Sequence, residues 1–594
     1  MIGARKKVHV RIARAKDLSK ILAARLRGRA FVAILTLTAA SAVLFWSVAP
    51  PTYLTNDDVA IKRDLEGLIA PDGVPTGYAI WPHALLGWAL VYVQRLIPIH
   101  AWDVVVAALI ICAAALVLTE AWSLATDSSG RFLSTAAALI VIIPLFDGMQ
   151  YSMSATLAAV AGALAMIMEL SSQRPRRFVL AASAALLVLG LLVRSDSATA
   201  GGLMMVGVLV PLGVSSREMR AVYLRALLIA AATLGAAAVA LDLLNDGMYR
   251  LSPAWAAYRF DWLATRRLLE WGSDLPDDVV SALRARVGWT ANDWELLRRF
   301  WGIDPTIHSQ SRMDALFQLW PHLMDFRTRA MLLMQRGAAE VTGGGFLHLF
   351  SESWMTVAAA AALVYRTADR RGTATAVAAT TIFYVACAAL EVLFKELPFR
   401  LFAPLQVCLI LSILLTCRTL ARPASRMNAI IGGAVLMGLV IGQAFLAGAD
   451  AAANARQAND VDAQVADLLQ LHPSMLVLHG DSFPSEFWWR PFHTPTVGLR
   501  AVALGNENHN PYLQRFLAAS YRPSLLYAIC TDPSILVVGD HDRLTPVTSY
   551  MREHFGSYVT WTNVYQGSFG AWRCSPVSQE AHGDKVGTGT NLRR

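Results

Sequence analysis

Charged side chains are scarce in this sequence, and their scarcity excludes an ordinary soluble protein. They make up 16% of the 594 residues, whereas soluble domains average about 25%. Cysteine is also sparse, with six residues in the chain, which excludes a disulfide-dense secreted module. Hydrophobic residues reach 55% and the mean hydropathy is +0.44. The composition therefore predicts a membrane protein with several spans.

Acidic side chains are almost absent from the start of the chain. Residues 1–30 hold ten lysines and arginines and the single acid Asp17, which accounts for the whole net charge of +9. A basic arm directly before an apolar span is the positive-inside signal of membrane proteins. It predicts a cytoplasmic N-terminus beside anionic lipid and argues against a nucleic-acid partner. We expect residues 31–49 to be a retained span, since no small-residue cleavage site follows them.

Apolar runs of the length that crosses a bilayer, about 20 residues, recur along the chain. Eleven such runs fall near residues 31–49, 102–125, 132–147, 154–170, 178–194, 197–214, 222–243, 346–365, 373–394, 400–417 and 427–448. A twelfth apolar segment, 78–98, is interrupted by Pro82, His83 and Arg95. This segment either crosses the membrane or lies along its surface as a juxtamembrane helix.

Short loops rich in arginine predict the orientation of the spans. Four such loops separate predicted spans, and all four fall on the cytoplasmic side if 78–98 does not cross. Three polar zones then lie outside the membrane on the other side: residues 51–101, 244–345 and 449–594.

The polar tail has the pattern of a small α/β domain. Met475–Leu478 and Ile535–Val538 are short β-rich runs, each followed by a turn signal. The tail also carries Cys530 and Cys574, whereas the other four cysteines lie in apolar spans. An extracytoplasmic tail predicts that these two form a disulfide; the alternative is two free buried thiols.

Two adjacent acids follow the first span at an unusual place. Thr55-Asn56-Asp57-Asp58 begins six residues after residue 49. Like charges this close raise one pKa, which suits a general base or a metal site. The alternative is an ordinary solvated loop, or a cap for a helix over Val59–Ile69.

Further polar groups interrupt the apolar spans at their predicted outer ends. Asp147, Gln150 and Tyr151 lie in a tight turn between two spans, and Arg194 precedes Asp196 between two more. Charges at these depths are costly unless they are paired or functional. The alternatives are simple turn chemistry for the first group and a mutual ion pair for the second.

A basic turn lies at the junction of the predicted spans 373–394 and 400–417, with the sequence Lys395-Glu396-Leu397-Pro398-Phe399-Arg400. Lys395 and Arg400 are suited to bind a lipid phosphate or diphosphate. Their alternative role is snorkelling to phospholipid headgroups.

Together these features resemble the GT-C superfamily of polytopic glycosyltransferases, which use polyprenyl-phosphate-linked sugars. The resemblance rests on Asn56-Asp57-Asp58-Val59 after the first span and on the segment Tyr78–Pro98. Shorter islands resemble bacterial relatives of that class, at Gln150–Thr156, Leu192–Ser197, Asn245–Arg267 and Lys395–Pro404. No transferable motif is present in the tail.

The resemblance implies a role for each candidate residue. Asp57 or Asp58 would deprotonate the acceptor hydroxyl, and Lys395 and Arg400, with Arg194 as a weaker candidate, would hold the leaving phosphate. Asp147, Gln150 and Tyr151 would line the sugar or acceptor site. Some relatives bind a divalent metal, but no metal ligands are assigned here and no cofactor is certain. The tryptophans of the middle loop are expected at the membrane interface, with stacking on sugar rings as the alternative.

The predicted fold is a mainly α, polytopic transmembrane bundle of about eleven spans plus a juxtamembrane helix, with a small α/β extracytoplasmic C-terminal domain. Its parts are a basic arm (1–30), the transmembrane GT-C-like catalytic domain (31–448) and the tail domain (449–594).

The predicted function is transfer of a sugar, with inversion, from a polyprenyl-phosphate donor to an extracytoplasmic glycan, lipid-linked saccharide or protein. The predicted location is the bacterial cytoplasmic membrane. The alternatives are a lipid-linked glycan transporter or flippase, an O-antigen-ligase-like transferase, and a non-catalytic scaffold.

Overall fold

The structure is a computed structural model. It describes residues 29–577 except 71–72, 126, 173–174, 216–219, 272–274, 324–325, 344–346, 368–369, 395–396, 421–425, 481, 496–499, 506 and 522. The basic arm up to residue 28 and the candidate Lys395 therefore lie outside the described residues.

Ten helices among the described residues are long and apolar enough to cross a membrane. They are α1 (Arg29–Val48), α4 (Ala101–Leu124), α5 (Ser128–Ile142), which a 3-10 turn extends to Phe146, α6 (Tyr151–Leu170), α8 (Ser195–Ser215), α9 (Arg220–Arg250), α15 (Leu347–Thr367), α16 (Arg370–Phe394), α17 (Phe399–Leu420) and α18 (Arg426–Leu469). This confirms the prediction of a polytopic helical bundle.

Two further apolar helices are shorter. Helix α7 (Arg177–Val193) has 17 residues and corresponds to the predicted span 178–194. Helix α3 (Ala84–Leu96) has 13 residues, about 20 Å at 1.5 Å per residue, which is short of the roughly 30 Å hydrocarbon core. Leu85, Tyr92 and Leu96 are exposed on α3, so this helix has the length and the apolar face of the predicted juxtamembrane helix.

The chain divides into two compact units. The first, here called the membrane unit, comprises residues 1–54, 103–243 and 340–455. The second, here called the polar unit, comprises residues 55–102, 244–339 and 456–594. The three polar zones found in the sequence thus contribute to one unit, although hundreds of residues separate them in the chain.

Helix α6 is the best buried span of the membrane unit, and it packs closely with α7 and α8. Glycines allow this approach: a Cβ on Gly190 would lie 2.9 Å from the carbonyl oxygen of Ala155, and one on Gly162 would lie 2.9 Å from that of Ser183. Small residues at such contacts let membrane helices approach each other. Two short parallel strands, β1 (Thr52–Tyr53) and β2 (Gly148–Met149), join the end of the first span to the turn before α6.

The polar unit contains most of the shorter helices and a five-stranded sheet. Its helices are α2 (Asn56–Glu66), α3, α10 (Pro253–Trp271), α11 (Asp277–Val287), α12 (Ala291–Arg298), α13 (Gln310–Leu323), α14 (Phe326–Gly343), α19 (Ser485–Trp488), α20 (Pro511–Ser520), α21 (Leu525–Thr531) and α22 (Thr545–Phe555). Its strands are β3 (Met475–His479), β4 (Arg500–Leu504), β5 (Ile535–Val538), β6 (Val559–Gln566) and β7 (Gly570–Pro576).

The sheet has the order β4-β3-β5-β7-β6. Strands β4, β3 and β5 are parallel, and β7 pairs antiparallel with both β5 and β6. The two predicted strand runs correspond to β3 and β5. Both runs are continuously apolar because each strand is buried on both faces of the sheet, as is usual for parallel strands. Cys530 of α21 is bonded to Cys574 of β7 in a disulfide.

One hydrophobic core is built from all three segments of the polar unit. It includes Ile69 from the first segment, Trp289, Trp294 and Trp301 from the second, and Val477 from the third. The expectation that the tryptophans lie at a membrane interface is therefore wrong for these three. They are buried because the middle segment packs under the sheet, where the indole N–H of Trp301 donates to the carbonyl oxygen of Arg543 at 2.8 Å.

Candidate active site

Helix α2 carries the adjacent acids in its first turn. Thr55 is the N-cap residue, and its hydroxyl donates to Oδ2 of Asp58 at 3.3 Å. Asp58 is fully buried and Asp57 is half-buried. Carboxylates in the first turn gain about 0.3–1 kcal/mol from the helix dipole. The acids thus lie in the first turn of an ordered helix and not in a solvated loop. This placement is close to the other alternative, a helix cap, but the cap is Thr55 and the helix begins at Asn56 rather than at Val59.

The start of α2 is attached to the tail at the end of a central strand. The side-chain amide of Asn56 donates a hydrogen bond to the carbonyl oxygen of Gly480, which directly follows β3. Asn56 immediately precedes Asp57. This contact therefore determines where the acids lie against the carboxyl end of the parallel strands.

The middle of α2 is attached to the tail by a buried lysine. Lys62 is fully buried, and its Nζ donates to the carbonyl oxygens of Arg490 at 3.0 Å and His493 at 2.8 Å. An ammonium group taken out of water requires such acceptors, because a buried charge without them costs several kcal/mol. The stretch after α19 is thereby bound to α2.

The next turn of α2 contains a buried ion pair with a second acid beside it. The guanidinium of Arg63 donates to Oε2 of Glu507 at 3.1 Å, and the amide of Asn510 donates to Oδ1 of Asp64 at 2.9 Å. Burial raises the pKa of Glu507 to about 7, although Arg63 opposes the shift. Burial and the charge of Glu507 also raise the pKa of Asp64 well above its ordinary value. Burial and the proximity of the two acids therefore favour their protonated forms, whereas Arg63 favours the ionised form.

In the membrane unit, Gln150 caps the helix that begins at the second candidate turn. Its Oε1 accepts from the backbone N–H of Met153 at 2.7 Å, and its Nε2 donates to the hydroxyl of Ser152 at 3.2 Å. Gln150, Tyr151 and Ser152 are all fully buried at the start of α6. This cap shows that Gln150 has at least a structural role.

Arg194 is brought against the same turn from the junction between α7 and α8. Its guanidinium donates to the hydroxyls of Tyr151 and Ser152, the latter at 2.9 Å, and it pairs with Asp196 through an Nε–Oδ1 distance of 2.7 Å. It also lies over the Tyr151 ring, 5.0 Å from the centroid. The structure thus brings Gln150, Tyr151 and Arg194 together, and the ion pair with Asp196 is the alternative role stated from the sequence.

Asp147 lines a cavity of about 200 Å³ in the membrane unit, at the end of the 3-10 turn after α5. Its Oδ1 is buried and has no hydrogen-bond partner among the described residues. Burial, together with the nearby charge of Asp450, raises the pKa of Asp147 to about 6. Glu352 and Asp450 line the same cavity. Sequence reasoning missed them, although Glu352 was visible as an acid inside a predicted apolar span.

Arg400 lies half-buried in the first turn of α17, next to Phe399, which lines this cavity. Its proposed partner in phosphate binding, Lys395, lies outside the described residues.

Among the described residues, Asp293, Glu553 and His554 are close enough to share a metal ion. They are already engaged with one another and with a helix cap: His554 Nε2 lies 3.0 Å from Oδ1 of Asp293, whose other oxygen accepts from the backbone N–H of Thr290 at 2.8 Å. Two of the three are exposed. We therefore assign them to the α12–α22 contact and not to a metal centre.

No protein family and no curated protein matches this chain by sequence. A search of solved structures finds two crystal structures of ArnT from Cupriavidus metallidurans, in the apo state and bound to undecaprenyl phosphate. Both are 13% identical to this chain in sequence. Each alignment includes 91% of this chain and 97% of the ArnT chain. Their TM-scores are 0.34 and 0.32. Similarity of this degree decides no function.

Proposed function

We propose that this protein is an integral membrane glycosyltransferase of the GT-C type. It transfers a sugar from a polyprenyl-phosphate donor to an extracytoplasmic glycan, lipid-linked saccharide or protein. The observation that carries the proposal is the placement of Asp57 and Asp58 in the first turn of a buried helix. Three separate contacts, made by Asn56, Lys62 and Arg63, attach that helix to the tail.

A general base has to be held in one position relative to its substrate. The contacts around α2 supply such a position, since the side chains on both sides of the acid pair are engaged. In the proposed reaction, Asp57 or Asp58 takes the proton of the acceptor hydroxyl. The acceptor oxygen then forms a bond to the anomeric carbon from the face opposite the leaving group. The bond from that carbon to the lipid phosphate breaks, the phosphate leaves with the electron pair, and the configuration inverts.

The leaving phosphate gains negative charge as its bond breaks, and cationic side chains stabilise that charge. Arg400 and Lys395 are our candidates for this role, because the sequence places both in one short basic segment, and Arg400 lies in the first turn of α17. Arg194 is a weaker candidate, because Asp196 already engages its guanidinium. Its contacts suit it to orient Tyr151 instead.

We also propose the bacterial cytoplasmic membrane as the location, with the N-terminus in the cytoplasm and the tail outside. The disulfide between Cys530 and Cys574 supports an extracytoplasmic tail, because disulfides persist in oxidising compartments. The described residues contain an odd number of candidate spans if α7 is counted and α3 lies along the surface, which is consistent with that orientation.

The first experiment is mass spectrometry of the lipids retained by the detergent-purified protein. We expect a polyprenyl phosphate, bare or carrying a single sugar. That lipid then serves as the donor in a transfer assay with the variant D57N/D58N. The variant should retain the lipid but lose transfer by about 10²–10⁴-fold, since base assistance is typically of that size.

The chain offers a matched control for this variant. Asp277 and Asp278 are also adjacent acids in the first turn of a helix, but both are exposed. D277N/D278N should transfer at the wild-type rate. Retention of a polyprenyl diphosphate with a long glycan would favour a ligase or flippase, and undiminished transfer by D57N/D58N would overturn the assignment of the base.

A further inference from the structure

A long cavity lies along the first span of the membrane unit. It is bounded by α1, the end of α4, α5 and α18, and is here called the α1 slot. All of its lining residues belong to the membrane unit. Its volume of about 540 Å³ equals that of about eighteen water molecules at about 30 Å³ each. Protein interiors contain few voids larger than one water molecule, so we expect the slot to hold a ligand.

The shape and the walls of the slot fit a hydrocarbon chain. Its lining positions run from Ile34 to Phe45 on α1 and from Thr135 to Phe146 on α5 and its 3-10 turn, a helix length of about 16 Å at 1.5 Å per residue. Most of the lining side chains are apolar. A polar ligand would lose its hydrogen bonds to water along most of this length, which is unfavourable.

A contact between Trp46 and Phe146 distinguishes the two ends of the slot. The indole N–H of Trp46 donates to the carbonyl oxygen of Phe146 at 2.9 Å, and the ring centroids lie 6.1 Å apart. Trp46 lies near the end of α1 and Phe146 ends the 3-10 turn after α5, so both helices run in the same direction along the slot. Their first turns therefore lie at its other end, which the basic arm before α1 predicts to be the cytoplasmic one.

A guanidinium lies at this cytoplasmic end. Arg131, in the first turn of α5, lies over the ring of Trp122 with its Cζ 5.6 Å from the centroid, and Trp122 lines the slot. Nε of Arg131 donates to the carbonyl oxygen of Ala125 at 3.2 Å, which positions the guanidinium beside the end of α4. Its Nη atoms carry further N–H donors of the kind that bind phosphate oxygens. A phosphate at this end of the slot would thus meet a positioned cation.

A hydroxyl lies one helical turn deeper than the guanidinium. Thr135 follows Arg131 by four residues, so the two side chains share a face of α5 about 5–6 Å apart. Thr135 lines the slot, and its Oγ1 is buried and has no hydrogen-bond partner among the described residues. The ester carbonyl of a phospholipid lies between the phosphate and the acyl chain. Thr135 has the corresponding position, between Arg131 and the apolar part of the slot.

We propose that the α1 slot binds an acyl chain of a membrane phospholipid, whose phosphate contacts Arg131 and whose ester carbonyl accepts a hydrogen bond from Thr135. A polyprenyl phosphate has no carbonyl for Thr135, so the hydroxyl favours a phospholipid over the lipid of the proposed donor. The phosphate would also lie at the cytoplasmic end, whereas the proposed sugar transfer takes place on the other side of the membrane. The site is therefore additional to the proposed function, and its ligand fills the space between α1 and the other helices.

Native mass spectrometry of the full-length, detergent-purified protein tests this site. Endogenous lipids are first exchanged for detergent, and the protein is then titrated with dioleoyl phosphatidylglycerol. We expect R131Q to weaken binding by roughly tenfold, the size expected for a charge-assisted hydrogen bond. T135V should weaken it by about threefold, the size expected for a neutral hydrogen bond.

A diether analogue of the same lipid separates the ester contact from the phosphate contact. The analogue has no carbonyls, so T135V should bind it as the wild type does, whereas R131Q should still bind it more weakly. Arg177 gives the control for Arg131, because it is an exposed arginine in the first turn of α7, a helix whose described residues do not line the slot. R177Q should bind both lipids like the wild type.

Filling the slot tests the place of the acyl chain while Arg131 and Thr135 stay intact. Ala42 is buried and lines the slot, whereas Ala40 is exposed on the same helix. A42F should abolish binding of phosphatidylglycerol, and A40F should leave it unchanged. Both variants are compared as monodisperse preparations, so that a loss of binding reports the slot and not unfolding.

Four results would overturn the proposal. Phosphatidylglycerol does not bind to the wild type; R131Q binds it like R177Q; A42F binds it like A40F; or T135V weakens the diether analogue as much as the diester. Displacement of the phospholipid by an equal concentration of a polyprenyl phosphate would also contradict it, because the slot would then hold the chain of the donor.

Discussion

The membrane unit and the polar unit bury their charged groups in different ways. In the membrane unit, two ion pairs join residues that are close in the chain at helix ends: Glu169 with Arg176, and Arg194 with Asp196. In the polar unit, Arg63 pairs with Glu507, which lies 444 residues further along the chain. The first kind of pair closes a loop between spans, whereas the second joins separate segments of the chain.

This difference indicates what orders each unit. Apolar helices and close contacts between small residues order the membrane unit, and these two ion pairs add contacts that are local in the chain. The polar unit has to assemble from three segments, and its buried charges select one arrangement of α2 against the tail. A destabilising substitution should therefore accelerate amide hydrogen exchange in the unit that carries it and not in the other unit. Mass spectrometry resolves this exchange peptide by peptide.

Loss of the long-range ion pair should have the largest effect. R63M leaves Glu507 and Asp64 buried without their cation. Breaking a buried pair costs about 3–5 kcal/mol, so exchange should accelerate in peptides from α2 and from residues 500–510. Exchange in α6 should not change.

The exposed pair of Arg298 with Glu295 gives the control, since R298A should cost less than about 1 kcal/mol. Equal effects of the two variants would contradict the role given to Arg63.

Crowding of a helix contact should have the next largest effect, and in the opposite unit. G190A places a Cβ 2.9 Å from the carbonyl oxygen of Ala155, so α7 has to move away from α6. Overpacking costs about 1–3 kcal/mol and should accelerate exchange in α6 and α7 but not in α2. Gly235 has nothing within 4 Å of its added Cβ, so G235A should have no such effect. A response in the polar unit would show that the two units do not unfold independently.

The smallest expected effect, when it is measured over one pH unit, is a pH dependence confined to the polar unit. The pKa of Glu507 is raised to about 7 in the folded protein from about 4.3 in an unfolded chain. Its stabilising contribution is complete below about pH 4.3 and is lost as the pH rises through about 7. Asp64, whose pKa is also raised, acts in the same direction.

The polar unit should therefore lose up to about 1.4 kcal/mol per pH unit through Glu507 across that window. Urea titrations monitored by exchange at pH 5, 6 and 7 measure this slope. E507Q should flatten it, whereas D542N, which removes an exposed acid of the same unit, should leave it unchanged. A slope that persists in E507Q would show that another group retains the proton.

Several predictions from the sequence agree with the structure because they depend on local patterns. Each predicted span corresponds to an apolar helix, and β3 and β5 fall on the predicted runs. Helix α18 differs: it continues to Leu469, about twenty residues beyond the predicted span, because its polar continuation retains good helix formers. The end of an apolar run marks the end of the predicted span but not of the helix.

For the candidate site, in contrast, local sequence patterns indicated single residues but not the contacts between them. The sequence pointed to Asp57, Asp58 and Asp147 as individual residues, and their roles remain predictions. It gave no indication that Lys62 and Arg63 bind the tail or that Glu352 and Asp450 share a cavity with Asp147. In none of these contacts are the two residues separated in the sequence by the three, four or two positions that make neighbours on one face of a helix or a strand.

The sequence by itself determined the class of protein, the number and position of its apolar helices and the two central strands. Hydrophobicity over about 20 residues is a local property, and the bilayer requires it wherever a helix crosses. Only the tertiary structure decided that three polar zones fold as one unit, which charges are buried together and which acids line one cavity. Those contacts join residues hundreds of positions apart, and their free energy arises from burial and pairing in space, which no local window of sequence contains.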